Sequence, residues 1–267
     1  MVEQAIYQHA KQWAFEAGEI LRQAVKGELT VEYKTSAADL VTEKDKEIEQ
    51  FFLDKINTHY PEHFLLGEEG VQQQQTYQPE DEIVWLVDPI DGTTNFVHTK
   101  SNFSISVAVY IKGKPTVGVI YDPIKDEMFH VLAGQGLYVD EEKVPAVATN
   151  KQMEEALFCL NHLWLAPNDD LNEQPLQQMV REIRGFRCIG SAALELAYVA
   201  TGRMDGAIYN GLGAWDFGAA YVMLKEQGIA CTTLKGEEVY PFGHATLITA
   251  SKKLHQQVLA NYIELKH

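Results

Sequence analysis

The chain has 267 residues, 46% of them hydrophobic, enough for one large domain or two smaller ones sharing a core. A formal net charge of −16 argues against nucleic acid or an anionic membrane as the main partner, and no apolar run approaches the ~18 residues of a membrane span. Cys159, Cys188 and Cys231 are far apart and form no Cys-x-x-Cys pair, the usage expected of reduced thiols in a cytoplasmic protein.

Near the start, Ile6, Ala10, Trp13, Ala17, Ile20, Leu21 and Ala24 recur at helical spacing and Gly27 ends the pattern. This predicts an amphipathic helix over about 3–26. A signal peptide is not expected, because Glu3, His9, Lys11 and Glu16 interrupt every candidate apolar core. Leu29, Val31 and Tyr33 alternate as in a short strand, and a polar stretch, Lys34 to Asp39, precedes a second helix over about 43–58 with Ile48, Phe51, Phe52 and Ile56 on its apolar side. After His-Phe-Leu-Leu and Gly67, the glutamines at 72–75 read as a solvated loop tip, too short for a prion-like tract.

From Ile83 to about Val139 the chain is rich in strands that alternate or are β-branched, as in an antiparallel sheet. Beyond about 145, strands interleave with helices near 173–184, 191–201, 217–227 and from 252 onward. The pattern predicts an α+β subdomain over 1–145 and an α/β subdomain over 146–267.

Chemistry concentrates in IVWLVDPIDGTTNF, residues 83–96. The apolar run Ile83 to Val87 reads as a strand buried on both faces, and Asp88 and Asp91 leave its end. Two unit charges ~4 Å apart repel by roughly 4 kcal/mol at an effective dielectric of about 20. A divalent cation relieves that repulsion, and hard carboxylate and carbonyl oxygens suit magnesium or calcium. Gly92, Thr93 and Thr94 then open a turn or helix start with N–H groups and hydroxyls where a phosphate would sit. Glu68 and Glu69 leave another probable strand end, Asp216 precedes an apolar helix, and Asp45 starts the second helix. Each has a simpler alternative: Asp216 as a helix N-cap, Asp45 in a capping box with Thr42, the glutamates as exposed loop acids, and Asp88 and Asp91 as turn formers.

Together these segments resemble the inositol monophosphatase superfamily. WLVDPIDGTTNF is close to its pattern Trp-x-x-Asp-Pro-(Ile/Leu/Val)-Asp-Gly-Thr-x-Asn-Phe, and GAWDFGAA is similar to its second, Trp-Asp-x-(Ala/Gly)-(Ala/Gly). The order also fits: DLVTEKD, then Gly-Glu-Glu about 20 residues before the first motif, then Gly190-Ser191-Ala192 ahead of the second. The resemblance implies a layered αβαβα sandwich of the sugar phosphatase type and a homodimer. It implies magnesium, two or three ions per subunit. Glu68, Asp88 and the carbonyl of Ile90 would hold one ion; Asp88, Asp91 and Asp216 would hold a second; Glu68 would reach a weaker third through water. Asp45 and Thr93 match the pair that orients and deprotonates the attacking water, with Glu68 beside them, while Gly92, Thr93 and Thr94 match the phosphate cradle. Ser191, Ala192, Tyr209 and Asp216, with Ile90 and Asp91, fall where the family holds substrate, and Lys34 matches a basic residue of a closing segment.

One departure concerns the leaving group. Inositol-hydrolysing members carry a glutamate seven residues before the Trp-Asp aspartate, and this chain has Tyr209 there. Tyrosine still donates one bond but lacks the carboxylate's two acceptors. A second departure is Gln227-Gly228-Ile229 in place of the usual Gly-Gly after that helix, a turn variation. The expectation is magnesium-dependent, lithium-sensitive hydrolysis of a small phosphorylated metabolite by direct attack of water. Inositol monophosphate heads the substrates, followed by fructose 1,6-bisphosphate, NADP and 3′-phosphoadenosine 5′-phosphate. The reading from a different class is a regulatory binding protein that keeps the fold, as a relative in bacterial transcription does.

Overall fold

The structure, a computed structural model, describes residues 2–27, 29–33, 40–71, 78, 82–148 and 150–266. Lys34 and the glutamines at 72–75 lie outside the described residues. Helix α1 (Val2–Ala24) is followed by the antiparallel pair β1 (Val31–Tyr33) and β2 (Leu40–Thr42), then α2 (Glu43–His59) and β3 (Phe64–Gly67). Next come β4 (Ile83–Asp91), the short α3 (Thr93–His98), β5 (Ser104–Ile111), β6 (Lys114–Asp122), β7 (Glu127–Leu132), β8 (Leu137–Val139) and β9 (Glu142–Lys143). Strands β3 to β9 form a seven-stranded sheet in chain order; β3 runs parallel to β4 and every later pairing is antiparallel.

The rest of the chain supplies β10 (Leu157–Leu160), α4 (Glu173–Glu182), β11 (Gly185–Arg187), α5 (Ala192–Ala200) and β12 (Gly206–Leu212). It ends with α6 (Ala214–Glu226), β13 (Ala230–Thr232), β14 (Ala245–Ala250) and α7 (Lys252–Asn261). Its strands make a five-stranded mixed sheet of order β11-β10-β12-β14-β13.

Side-chain alternation along the strands builds the layers. On β4, Trp85 and Val87 pack with Ile6, Trp13 and Leu21 of α1 and Phe52 of α2. Val84 and Leu86 face the opposite way, onto Leu194 of α5 and Phe217 of α6. Ala207 and Leu247 of the smaller sheet close on those same middle helices, while Phe158, Ile208 and Ile248 pack outward on Leu176 of α4 and Leu254 of α7. The result is α1/α2, large sheet, α5/α6, small sheet, α4/α7: the layered αβαβα sandwich. Burial of both sheets on both faces explains why Ile83 to Val87 is a continuous apolar run.

Two features place the middle layer over the end of β4. Gly118 of β6 lets α6 approach, since a Cβ there would lie 2.4 Å from the carbonyl oxygen of Ala219. The sheet then grips the helix backbone: Ser106 Oγ donates to the carbonyl of Trp215 at 2.9 Å and Tyr110 Oη to that of Gly218 at 3.1 Å. Helix α6 begins at Ala214, three residues before the position expected from the sequence. Gly213 is its N-cap, and Asp216 sits in the first turn, where Oδ2 accepts the Gly213 N–H at 2.7 Å. Asp216 is therefore not an N-cap itself.

Candidate active site

Strand β4 ends in Asp88-Pro89-Ile90-Asp91, and its register against β5 shifts between Asp88 and Asp91, the mark of a bulge. The bulge turns both aspartates the same way. Asp88 Oδ1 accepts the N–H of Ile90 at 3.0 Å, which fixes the turn. Gly92 follows with φ of 94°, and a Cβ there would meet the carbonyl oxygen of Gly190 at 2.8 Å, so both conformation and space require glycine.

Gly92 caps α3, whose first residue, Thr93, lies beside Asp45 of α2. Thr93 Oγ1 lies 3.2 Å from Asp45 Oδ1 and 3.1 Å from the carbonyl oxygen of Ile90, and its one proton serves either acceptor. Asp45 Oδ2 accepts both the N–H and the hydroxyl of Thr42 at 2.7 Å. The expected capping box is thus present, and it leaves the other carboxylate oxygen pointing at Thr93. Capping is therefore compatible with a site role for the same side chain.

One carboxylate oxygen each from Asp88, Asp91 and Asp216 lies within 4.8 Å of the others. Glu68 and Asp216 also face Asp88, close enough for their charges to act on it. Glu68 is carried by the chain leaving β3, which Glu49 of α2 pins by accepting the N–H groups of Glu69 and Val71, both at 2.6 Å. Among the described residues no ion pair reaches Asp88, Asp91 or Asp216. Burial, then the charges of Glu68, Asp91 and Asp216, hold the Asp88 carboxyl well above the usual range. Burial and the charge of Asp91 push Asp216 up to about 8. Burial also raises Asp45 and Asp91 to about 6 each, against the opposing effect of the donors that face them. A cluster of hard oxygen donors with surplus negative charge and no cationic side chain fits a divalent cation.

Asp91 has a second role. It accepts the hydroxyl of Ser191, the N–H of Ala192 at 3.1 Å and the N–H of Ala193 at 2.9 Å, so it caps α5 from across the site. Asp91 thus holds Ser191 and Ala192, which the sequence expects beside the substrate, next to the acidic cluster. Both also line a cavity of about 270 Å³ together with Asp91, Asp216, Glu195 and Tyr209. A larger cavity of about 550 Å³ lies on the outer side of α1, between Lys11 and His130, and none of the expected site residues lines it.

The sequence profile of the inositol monophosphatase family matches residues 2–266. The chain belongs to the inositol monophosphatase family. It is 39% identical over 257 residues to the inositol-1-monophosphatase of Bacillus subtilis (strain 168), covering 96% of both chains. It is 33% identical over 224 residues to the Nus factor SuhB of Escherichia coli (strain K12), covering 84% of this chain and 82% of that one. A solved structure of an IMPase/NADP phosphatase complexed with Mg2+ and phosphate superposes with a TM-score of 0.89 at 26% identity over 100% of both chains. The protein is a phosphatase of the inositol monophosphatase family, with a layered fold and an acidic cluster that could hold a metal ion.

Sequence reading did not single out every residue of this candidate site. Glu195 lies in the apolar helix α5, 3% exposed, and accepts the N–H groups of Ile189 and Gly190 and the hydroxyl of Tyr209. Its signal was present: a lone charge in Ala-Ala-Leu-Glu-Leu-Ala-Tyr-Val-Ala marks a buried, partnered carboxylate. Asn161 and Trp164 also line the cavity and fall in the 161–172 loop that the sequence assigns to specificity, whereas nothing in its local sequence marks Asn210 of β12.

Proposed function

We propose that the chain hydrolyses a small phosphate monoester with magnesium, inositol monophosphate being the leading substrate, by direct attack of water on phosphorus. The observation that carries this reading is the triad of buried Asp88 and Asp91 with half-buried Asp216, within 4.8 Å and with no basic partner among the described residues, at the cavity that Ser191 and Tyr209 line. Asp88, Asp91 and Asp216, joined by Glu68 and the carbonyl of Ile90, are the groups that would hold two or three magnesium ions. Bound there, magnesium supplies Lewis acidity toward the phosphoryl oxygens and lowers the pKa of water.

The chain's own residues do the rest. Thr93 and Asp45 orient the attacking water, and Asp45, raised to about 6, accepts its proton near neutral pH. Gly92, Thr93 and Thr94 turn the start of α3 toward the phosphate, where its free N–H groups meet negative charge. No serine, cysteine or histidine nucleophile is needed. The 39% identical Bacillus inositol-1-monophosphatase supports the substrate; fructose 1,6-bisphosphate, NADP and 3′-phosphoadenosine 5′-phosphate remain the alternatives.

Phosphate release from a panel of these esters, with and without magnesium, tests the reading. No magnesium-dependent release from any member would falsify it. Lithium is expected to inhibit in the millimolar range. Likeness to the Nus factor SuhB favours a second reading, a regulatory binding role beside catalysis; a cellular phenotype rescued by an inactive Asp91→Asn protein would establish it.

The chain acts, on this proposal, as a cytoplasmic homodimer, which light scattering on the purified protein checks. The three free cysteines suit a reducing compartment. Residues 1–145, which include every strand of the large sheet, and 146–267, which include every strand of the small one, are proposed as its two subdomains.

A further inference from the structure

Tyr209 and Glu195 form a buried hydroxyl–carboxylate pair in the wall of the cavity that holds Asp91 and Asp216. Glu195 Oε1 accepts the N–H of Ile189 and, at 3.2 Å, the N–H of Gly190, while Oε2 accepts the Tyr209 hydroxyl. An ionised carboxylate has no proton to give, and a phenol has one. With three donors converging on Glu195, the Tyr209 proton is committed to it. The phenolic oxygen then presents only lone pairs to any group arriving in the cavity.

We propose that Glu195 is a positioning residue that fixes Tyr209 as a hydrogen-bond acceptor for a hydroxyl on the leaving group. The site thereby selects phosphate esters of polyols or sugars that place an O–H donor against Tyr209, over esters whose leaving group has none. The inference rests on the phosphatase reading above and adds which alcohols it favours. A leaving group without that hydroxyl forfeits one neutral hydrogen bond, about tenfold in kcat/KM.

The two side chains test each other. In Tyr209→Phe the acceptor is gone while both backbone N–H bonds to Glu195 remain. In Glu195→Gln the N–H groups of Ile189 and Gly190, which only donate, hold the carboxamide oxygen. The amide nitrogen must then donate to Tyr209, and the phenol proton is released toward the cavity. The polarity of Tyr209 reverses.

The experiment measures kcat/KM with magnesium for myo-inositol 1-phosphate, for phenyl phosphate, and for inositol phosphates with each hydroxyl in turn replaced by fluorine, which accepts weakly and cannot donate. In Tyr209→Phe the ratio of inositol 1-phosphate to phenyl phosphate is expected to fall about tenfold, with KM for the inositol ester raised. In Glu195→Gln, the fluorinated ester that the wild type handles worst is expected to recover relative to the parent ester.

Parallel losses on every substrate in Tyr209→Phe, leaving that ratio unchanged, mean a structural pair and overturn the proposal. If Glu195→Gln fails to fold, judged by its thermal midpoint, Tyr209→Phe decides alone. If the wild type hydrolyses neither inositol 1-phosphate nor phenyl phosphate, the phosphatase reading fails first and the selectivity falls with it. Wild-type turnover with an unchanged ratio in Tyr209→Phe sinks only the selectivity.

Discussion

The cavity has two acidic regions, and they are built in opposite ways. At one, Asp88 faces Glu68 and Asp216, carboxylate against carboxylate. At the other, Glu195 is as deeply buried but faces two backbone N–H groups and a phenol. Burial raises the pKa in both places. What differs is who supplies the compensation. Around Glu195 the protein supplies all of it, so the charge is a fixed part of the fold. Around Asp88 it supplies little beyond the Ile90 N–H, and the surplus charge waits for a cation. Asp91 stands between these extremes, its own charge satisfied by the start of α5 and still within reach of the cluster.

The largest effects separate the two regions by sign. Asp216→Asn is expected to abolish phosphate release while raising the thermal midpoint of the metal-free protein at pH 8, because one repelling charge is gone. Activity retained in that variant would remove Asp216 from the site. Asp45→Asn, which keeps the shape of the capping box but not the base, should lower kcat by about 10²–10⁴-fold with little change in substrate KM.

Magnesium itself should stabilise the protein by about 2.7 kcal/mol at a hundred times its Kd, and a fixed magnesium concentration should stabilise it more at pH 8 than at pH 5. The sign follows from Asp216, whose carboxyl titrates near 8 when folded against 3.8 for the free group. Across that window the folded metal-free chain keeps a proton that the unfolded chain has released. The contribution is full below 3.8 and lost as pH rises through about 8. Thermal midpoints of metal-free wild type should therefore decline toward pH 8 more steeply than those of Asp216→Asn; equal slopes would contradict the assignment.

Removing an acid at the other region should do the reverse. Glu195→Ala leaves three donors unpaired and should cost about 1–3 kcal/mol in a denaturant titration. Gly92→Ala forces a side chain into a left-handed conformation against the Gly190 carbonyl, and about 1–3 kcal/mol is expected there as well. A neutral result would mean that the β4–α3 turn is free to relax.

Much of the proposed phosphate end was legible in the sequence because it is local. Asp88, Asp91, Gly92 and Thr93 are neighbours in the chain, and the bulge and left-handed turn that aim them follow from Asp-Pro and Asp-Gly chemistry within a few residues. Thr42 and Asp45 likewise wrote their capping box in four positions. The apolar run of β4 and the helical spacing of α1 announced layers covered on both faces, since periodicity alone sorts side chains between two sides of an element. The start of α6 was harder to read, as Gly213 carries no side-chain cap and the first turn hides in Gly-Ala-Trp-Asp.

Only the tertiary structure decided which distant groups meet. Gly118, Ser106 and Tyr110 bring α6 against the large sheet, and that packing carries Asp216 to Asp88. The stacking of α5 on β12 commits the Tyr209 proton to Glu195, where the tyrosine alone had promised a donor to the substrate. Hydrogen-bond direction depends on which partner lies opposite, and a partner 14 residues away on another element is set by packing, not by the local chain.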